Sequence, residues 1–146
     1  MKVLFDLNLV IDLFLQRQPW SDDAVAVWDS GRGGRIEAFF SSASFPTLFY
    51  LVRKYGDLDL AHIAVTACLD DLTIIPVDYA TIRTAATGPG RDVEDNIQIA
   101  CAVGAKLDAI VTRDLKGFAA SPVPALSPAE LLAKIATTSD HDPLSG

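Results

Sequence analysis

Apolar positions along the chain keep two alternating rhythms. Short apolar runs bounded by polar or turn residues occupy Lys2–Phe5 and residues 36–40, 72–75 and 108–112, with a shorter one at 123–126. Each predicts a buried strand. Between them, apolar residues recur three and four apart and predict helices. The first follows Asn8 as cap and carries Leu9, Leu13 and Leu15. Others cover residues 21–28, Phe45–Tyr55, residues 58–69 and Tyr79–Ala86. A further helix opens at Asp92, with Val93, Ile97, Ala100 and Gly104 as its expected buried stripe. The punctuation agrees. Gly31 to Gly34 ends the second helix, and Gly88-Pro89-Gly90 prevents the Asp92 helix from starting earlier. Ser127-Pro128-Ala129-Glu130 is a cap, a first-turn proline and an acid, so a last helix follows. Strands alternating with helices predict an α/β fold, a three-layer α/β/α sandwich around a central parallel sheet. One domain over residues 1–136 and a polar tail over 137–146 are expected.

Composition narrows the class. The 146 residues are half hydrophobic, enough for one domain with a real core. No apolar run has the length of a membrane span, and the short run before Asp6 does not make a signal peptide. A cytoplasmic protein without a membrane partner is expected. Cys68 and Cys101 lie in apolar helical contexts and read as buried thiols. His62 and His141 stand alone, so no zinc spacing exists. The net charge of −7 argues against non-specific nucleic-acid binding by the whole surface. It leaves room for a nuclease, because clustered carboxylates are what a hard divalent cation needs.

The acids have a telling distribution. In a parallel sheet, ligands bind beyond the carboxyl ends of the strands. Asp6 follows the first strand, and Asp114 follows the strand at 108–112. The stretch Asp92-Val93-Glu94-Asp95-Asn96-Ile97-Gln98 opens the helix that leads into that second strand. A helix returning across the sheet starts at the same rim, so Asp6, Asp95 and Asp114 should converge there. Plainer readings stand beside this one. Asp92 is a good N-cap, and acids in a first turn offset the helix dipole. Asp6 and Asp114 also suit turns. Asp12 shares a helix side with Asn8 and reads as a supporting or solvated residue. Arg113 and Lys116 suit RNA phosphates or plain solvent. Trp20 and Trp28 suit base stacking, a core or a partner interface.

The order and spacing of three segments resemble a PIN domain. They are Phe5-Asp6-Leu7-Asn8 with Asp12, then residues 92–98, then Ile110-Val111-Thr112-Arg113-Asp114-Leu115-Lys116-Gly117-Phe118. The resemblance implies a small ribonuclease that uses Mg²⁺ or Mn²⁺, with Asp6, Asp95 and Asp114 as catalytic, metal-holding acids. Asn8, Asp12, Glu94 and Thr112 would support them. Many relatives are VapC-type toxins held inactive by an antitoxin protein, so an RNA substrate, an antitoxin and a homodimer are the implied partners. The family pattern also places a Glu on the helix after the second strand, where this chain has Thr47. Glu94 would have to swing round to replace it. That departure keeps a second expectation open: a catalytically degenerate PIN-fold module that binds RNA or protein without cleavage. An aspartyl-phosphate enzyme would want a second acid two residues after Asp6, where Asn8 stands, and the acid order of a receiver domain is missing.

Overall fold

A computed structural model of the chain describes residues 1–140. Five parallel strands form one sheet in the order β3-β2-β1-β4-β5, where β1 is Lys2–Phe5, β2 Glu37–Ser41, β3 Thr73–Ile75, β4 Ala109–Val111 and β5 Ala125–Leu126. Seven helices connect them: α1 Leu7–Phe14, α2 Ser21–Arg32, α3 Phe45–Tyr55, α4 Leu58–Asp71, α5 Tyr79–Ala86, α6 Val93–Gly104 and α7 Pro128–Asp140. Short 3₁₀ turns occupy Ser42–Ser44 and Lys116–Phe118. The expected three-layer α/β/α sandwich is the observed one. Helix α7 continues through Asp140, so part of the expected tail is helical and the rest lies outside the described residues.

The sheet is apolar on both faces because helices cover both. Alternation within each strand then divides the core in two. Val3 and Phe5 of β1, Ala38 and Phe40 of β2, and Ala109 and Val111 of β4 join α1, α2, α3, α4 and α7 in the larger cluster. Leu4 and Ile110 point the other way and pack with Ile99, Cys101 and Ala102 of α6 and with Phe118. Cys68 and Cys101 are buried free thiols, as expected. Trp28 belongs to the core, packed on Phe5 and Phe14, with its indole N–H donated to Asp71.

Two sequence readings need correction. Helix α1 is capped by Asp6, not Asn8: the Asp6 carboxylate accepts from the Leu7 amide at 2.8 Å. The stripe expected on α6 is also displaced. Val93 and Gly104 are exposed, whereas Asn96, Gln98, Ile99, Cys101 and Ala102 are buried.

The strand order sets the location of a cleft. From β1 the chain moves outward through β2 and β3, then returns to place β4 and β5 on the other side of β1. The connections therefore part at the carboxyl ends of β1 and β4, which is where an open parallel sheet forms a binding crevice.

Candidate active site

The pairing of β1 with β4 continues one residue past both strands. Phe5 is in register with Val111, and the Asp6 amide donates to the Val111 carbonyl at 3.0 Å. This sets Asp6 beside Thr112. The Thr112 hydroxyl donates to Asp6 Oδ2 at 2.7 Å and accepts from the Asp114 amide at 3.0 Å. Thr112 is wholly buried, and it ties the acid of one strand end to the loop of the other. Asn8 Nδ2 approaches the same hydroxyl at 3.5 Å.

Helix α6 supplies the third side. Its N-cap is Asp92, whose Oδ1 accepts from the Asp95 amide at 2.8 Å. That commits Asp92 to the helix end. Glu94 and Asp95 lie one turn before Gln98, at spacings of four and three, so all three belong to one side of the helix. Gln98 Nε2 donates to Asp6 Oδ1 at 3.2 Å across the cleft. Asp6, Asn8, Glu94, Asp95, Gln98, Asp114 and, from the α3 wall, Thr47 line one cavity of about 340 Å³. The three acids expected at the rim are brought together there, and Glu94 faces the cavity without swinging round.

Crowding of like charge shows in the acids themselves. Burial pushes the Asp6 carboxyl up, against the hydrogen bonds from Thr112, Gln98 and Leu7, and the Asp114 charge adds to the rise. Asp95 is pushed up to about 6, first by burial and then by Asp92, Asp6, Asp114 and Glu94.

The resemblance implies a divalent cation in this cavity. Among the described residues no three acidic, cysteine or histidine side chains close around a single ligating point. Two other features fit a cation. A Cβ on Gly117 would lie 2.7 Å from Asp114 Oδ2 and 3.0 Å from Asp95 Oδ2. Both carboxylates thus reach one small space that only glycine leaves open. Gln98 Oε1 and Asn8 Oδ1 are buried acceptors without a hydrogen-bond partner among the described residues. Such atoms require a water or an ion to satisfy them. Mg²⁺ keeps several waters and takes one or two carboxylates directly, so a cavity wider than a tight chelate suits it.

The remaining sequence candidates have other places. Asp12 is buried and pairs with Arg113, Nε to Oδ2 at 2.8 Å and Nη2 to Oδ1 at 3.3 Å. The Arg113 guanidinium also lies 3.9 Å from the centre of the Trp20 ring. Arg113 is therefore held by its own chain, while Lys116 in the same loop is exposed. His62 is exposed on α4 against Phe49, and His141 lies outside the described residues. Gln98 and Gly117 were missed as site residues. The signal for Gln98 was an amide flanked by Ile97 and Ile99, one turn after Asp95.

An acid-lined cleft over the carboxyl ends of a parallel sheet, flanked by helices on both faces, defines the class. Within it the chain belongs to the PIN domain family, whose model matches residues 2–116. Solved structures share the fold. A toxin–antitoxin complex from Klebsiella pneumoniae matches with a TM-score of 0.63 and 22% identity, covering 86% of this chain and 97% of that one. FitAcB from Neisseria gonorrhoeae matches at 0.61 and 23%, covering 87% and 98%. The sarcin–ricin loop cleaving toxin VapC20 of Mycobacterium tuberculosis matches at 0.62 and 11%, covering 74% and 86%. Among curated proteins none is a significant sequence match. No helix among the described residues is long and apolar enough to cross a membrane.

Proposed function

We propose that this chain is a metal-dependent endoribonuclease, the toxin of a toxin–antitoxin pair. The observation that carries this reading is the convergence of Asp6, Asp95 and Asp114 on one cavity beside Gly117. The structural neighbours that are toxin–antitoxin complexes support the partner, and the one that cleaves the sarcin–ricin loop supports RNA as substrate. Mg²⁺ or Mn²⁺ bound by these acids would relieve charge at the phosphorus, activate water and stabilise the leaving oxygen. The chain supplies the positioning. Asp6 accepts hydrogen bonds at both oxygens, from Leu7 and Gln98 at one and Thr112 at the other, and is fixed. Asp114 gives one oxygen to the Gly117 amide at 3.2 Å and keeps the other toward Asp95. Lys116 is the exposed cation next to this loop and suits a substrate phosphate. Among the described residues no histidine lines the cavity, so a 2′-hydroxyl route lacks the usual general base. Water is then the nucleophile, and the products carry a 5′-phosphate.

A degenerate module that binds without cutting is the second reading. It is favoured by one observation: the α3 wall offers Thr47 and no acid. Incubation of the purified chain with a varied pool of single-stranded RNA separates the two. Cleavage in Mn²⁺ or Mg²⁺ that stops with EDTA, and in Asp6→Asn with the fold intact, is expected. An intact RNA pool in Mn²⁺, with antitoxin absent, would overturn the nuclease reading.

A further inference from the structure

The acids of the cavity differ in how free they are. Asp6 is hydrogen-bonded at both oxygens and Asp114 at one, while Asp12, outside the cavity, is locked to Arg113. Asp92 is committed to the start of α6 and does not line the cavity. Glu94 lines it and makes no hydrogen bond or ion pair among the described residues. From α3 the cavity is lined by Thr47, which carries no charge. Gln98 lines the same cavity, only 6% exposed, with Oε1 unpartnered although Nε2 is bonded to Asp6. A buried acceptor left unpartnered beside acids calls for a hydrogen-bond donor, which the waters of a hydrated cation would supply, since an amide oxygen gains nothing from carboxylates.

We propose that Glu94 is the fourth carboxylate of the cation site, doing from α6 what no acid on α3 does. This assignment rests on the metal-nuclease reading and extends it to a residue outside the three rim acids. The side of α6 explains why it works. Glu94 precedes Gln98 by four residues and Asp95 precedes it by three, so one helix turn presents two carboxylates and an amide to the same space. With Asp6 and Asp114 arriving from the sheet, the cavity has acids from both of its structural supports, and Thr47 is no deficit.

The test is Mn²⁺ titration into the full chain, followed by calorimetry without RNA. Glu94→Gln is expected to weaken Mn²⁺ binding about tenfold or more, as loss of a metal-holding partner does. Asp92→Asn removes an equal charge from the same helix turn and keeps the cap, so its affinity should stay within about twofold of wild type. Thr47→Glu should restore the affinity of the Glu94→Gln chain, because both positions line one cavity. Wild-type binding with Glu94→Gln indistinguishable from Asp92→Asn would overturn the role of Glu94 alone. A folded wild-type chain that takes up no Mn²⁺ would overturn the metal-nuclease reading beneath it.

Discussion

At the scale of single residues, the site is a set of charges held close against their own repulsion. Asp95 shows it most clearly, with its carboxyl pushed up to about 6 from the usual 3.8. A folded pKa above the unfolded one means the folded state binds the extra proton. Stability from this group is complete below about 3.8 and is lost as pH rises through about 6. Metal-free protein should therefore lose melting temperature across that window, and Asp95→Asn should flatten the loss. Asn fills space much as Asp does, and Asp92 remains the cap, so the comparison isolates charge. Mn²⁺ bound only to the folded state should raise the melting temperature most above pH 6, where the acids are charged. A melting curve of Asp95→Asn that keeps the wild-type pH slope and the wild-type Mn²⁺ shift would show Asp95 to be a structural acid. Arg113 belongs to this scale too. Its sequence neighbourhood suggested RNA phosphates, but Asp12 and Trp20 already occupy its charge and its face. Arg113→Ala would leave Asp12 buried without a partner. The expected loss is roughly 2 kcal/mol, below that for a fully buried pair because Arg113 itself is partly exposed. Denaturation midpoints check it, and an unchanged midpoint would mean that solvent reaches Asp12.

At the scale of elements, the strands and their order of appearance were legible because period-2 apolar runs and buried parallel strands leave few alternatives. The rim acids were legible for a related reason: a parallel sheet sends strand ends and helix starts to the same edge. Helix α6 was misread for a physical cause. Periodicity counts polar residues as solvent-facing, so the expected stripe took in Val93 and Gly104 and left out Asn96 and Gln98. Both amides are buried because each has a bonding task. Asn96 Oδ1 accepts from the Gly90 amide at 2.6 Å, and its Nδ2 donates to the Ala85 carbonyl at 2.9 Å. A Cβ on Gly90 would sit 2.5 Å from that Oδ1, so glycine is required for the loop to reach the side chain. Asn96 thus pins the segment between α5 and α6 and fixes where α6, and Asp95 with it, begins. No sequence pattern announces a partner six residues back across a turn. Asn96→Ala should cost about 1–3 kcal/mol, the range for a buried group left without its bond. Amide exchange at Gly90 should speed up as well. Unchanged exchange there would show that the loop is held by something other than Asn96.

At the scale of the whole molecule, one question is what covers the apolar surface that the fold leaves out. Helices α2 and α3 carry Trp28, Phe45, Phe49, Tyr50 and Tyr55, and the structure divides these aromatics. Trp28 is core, and Phe45 packs edge-on against Phe40. Tyr50 and Tyr55 of α3 are 58% and 62% exposed, and the neighbouring α4 exposes Ile63 and Leu69 at 56% and 57%. These two helices pack against each other, so both contribute exposed apolar side chains on one flank of the molecule. Exposed apolar surface of this kind marks an interface. The predicted assembly is a homodimer through α3 and α4. Light scattering of the purified chain should give twice the 15.6 kDa chain mass. Ile63→Lys should return the monomer. Because Ile63 is more than half exposed within one chain, the substitution should change monomer stability by no more than about 0.5 kcal/mol. A wild-type chain that stays monomeric at high concentration, or a dimer indifferent to Ile63→Lys, would move the interface elsewhere.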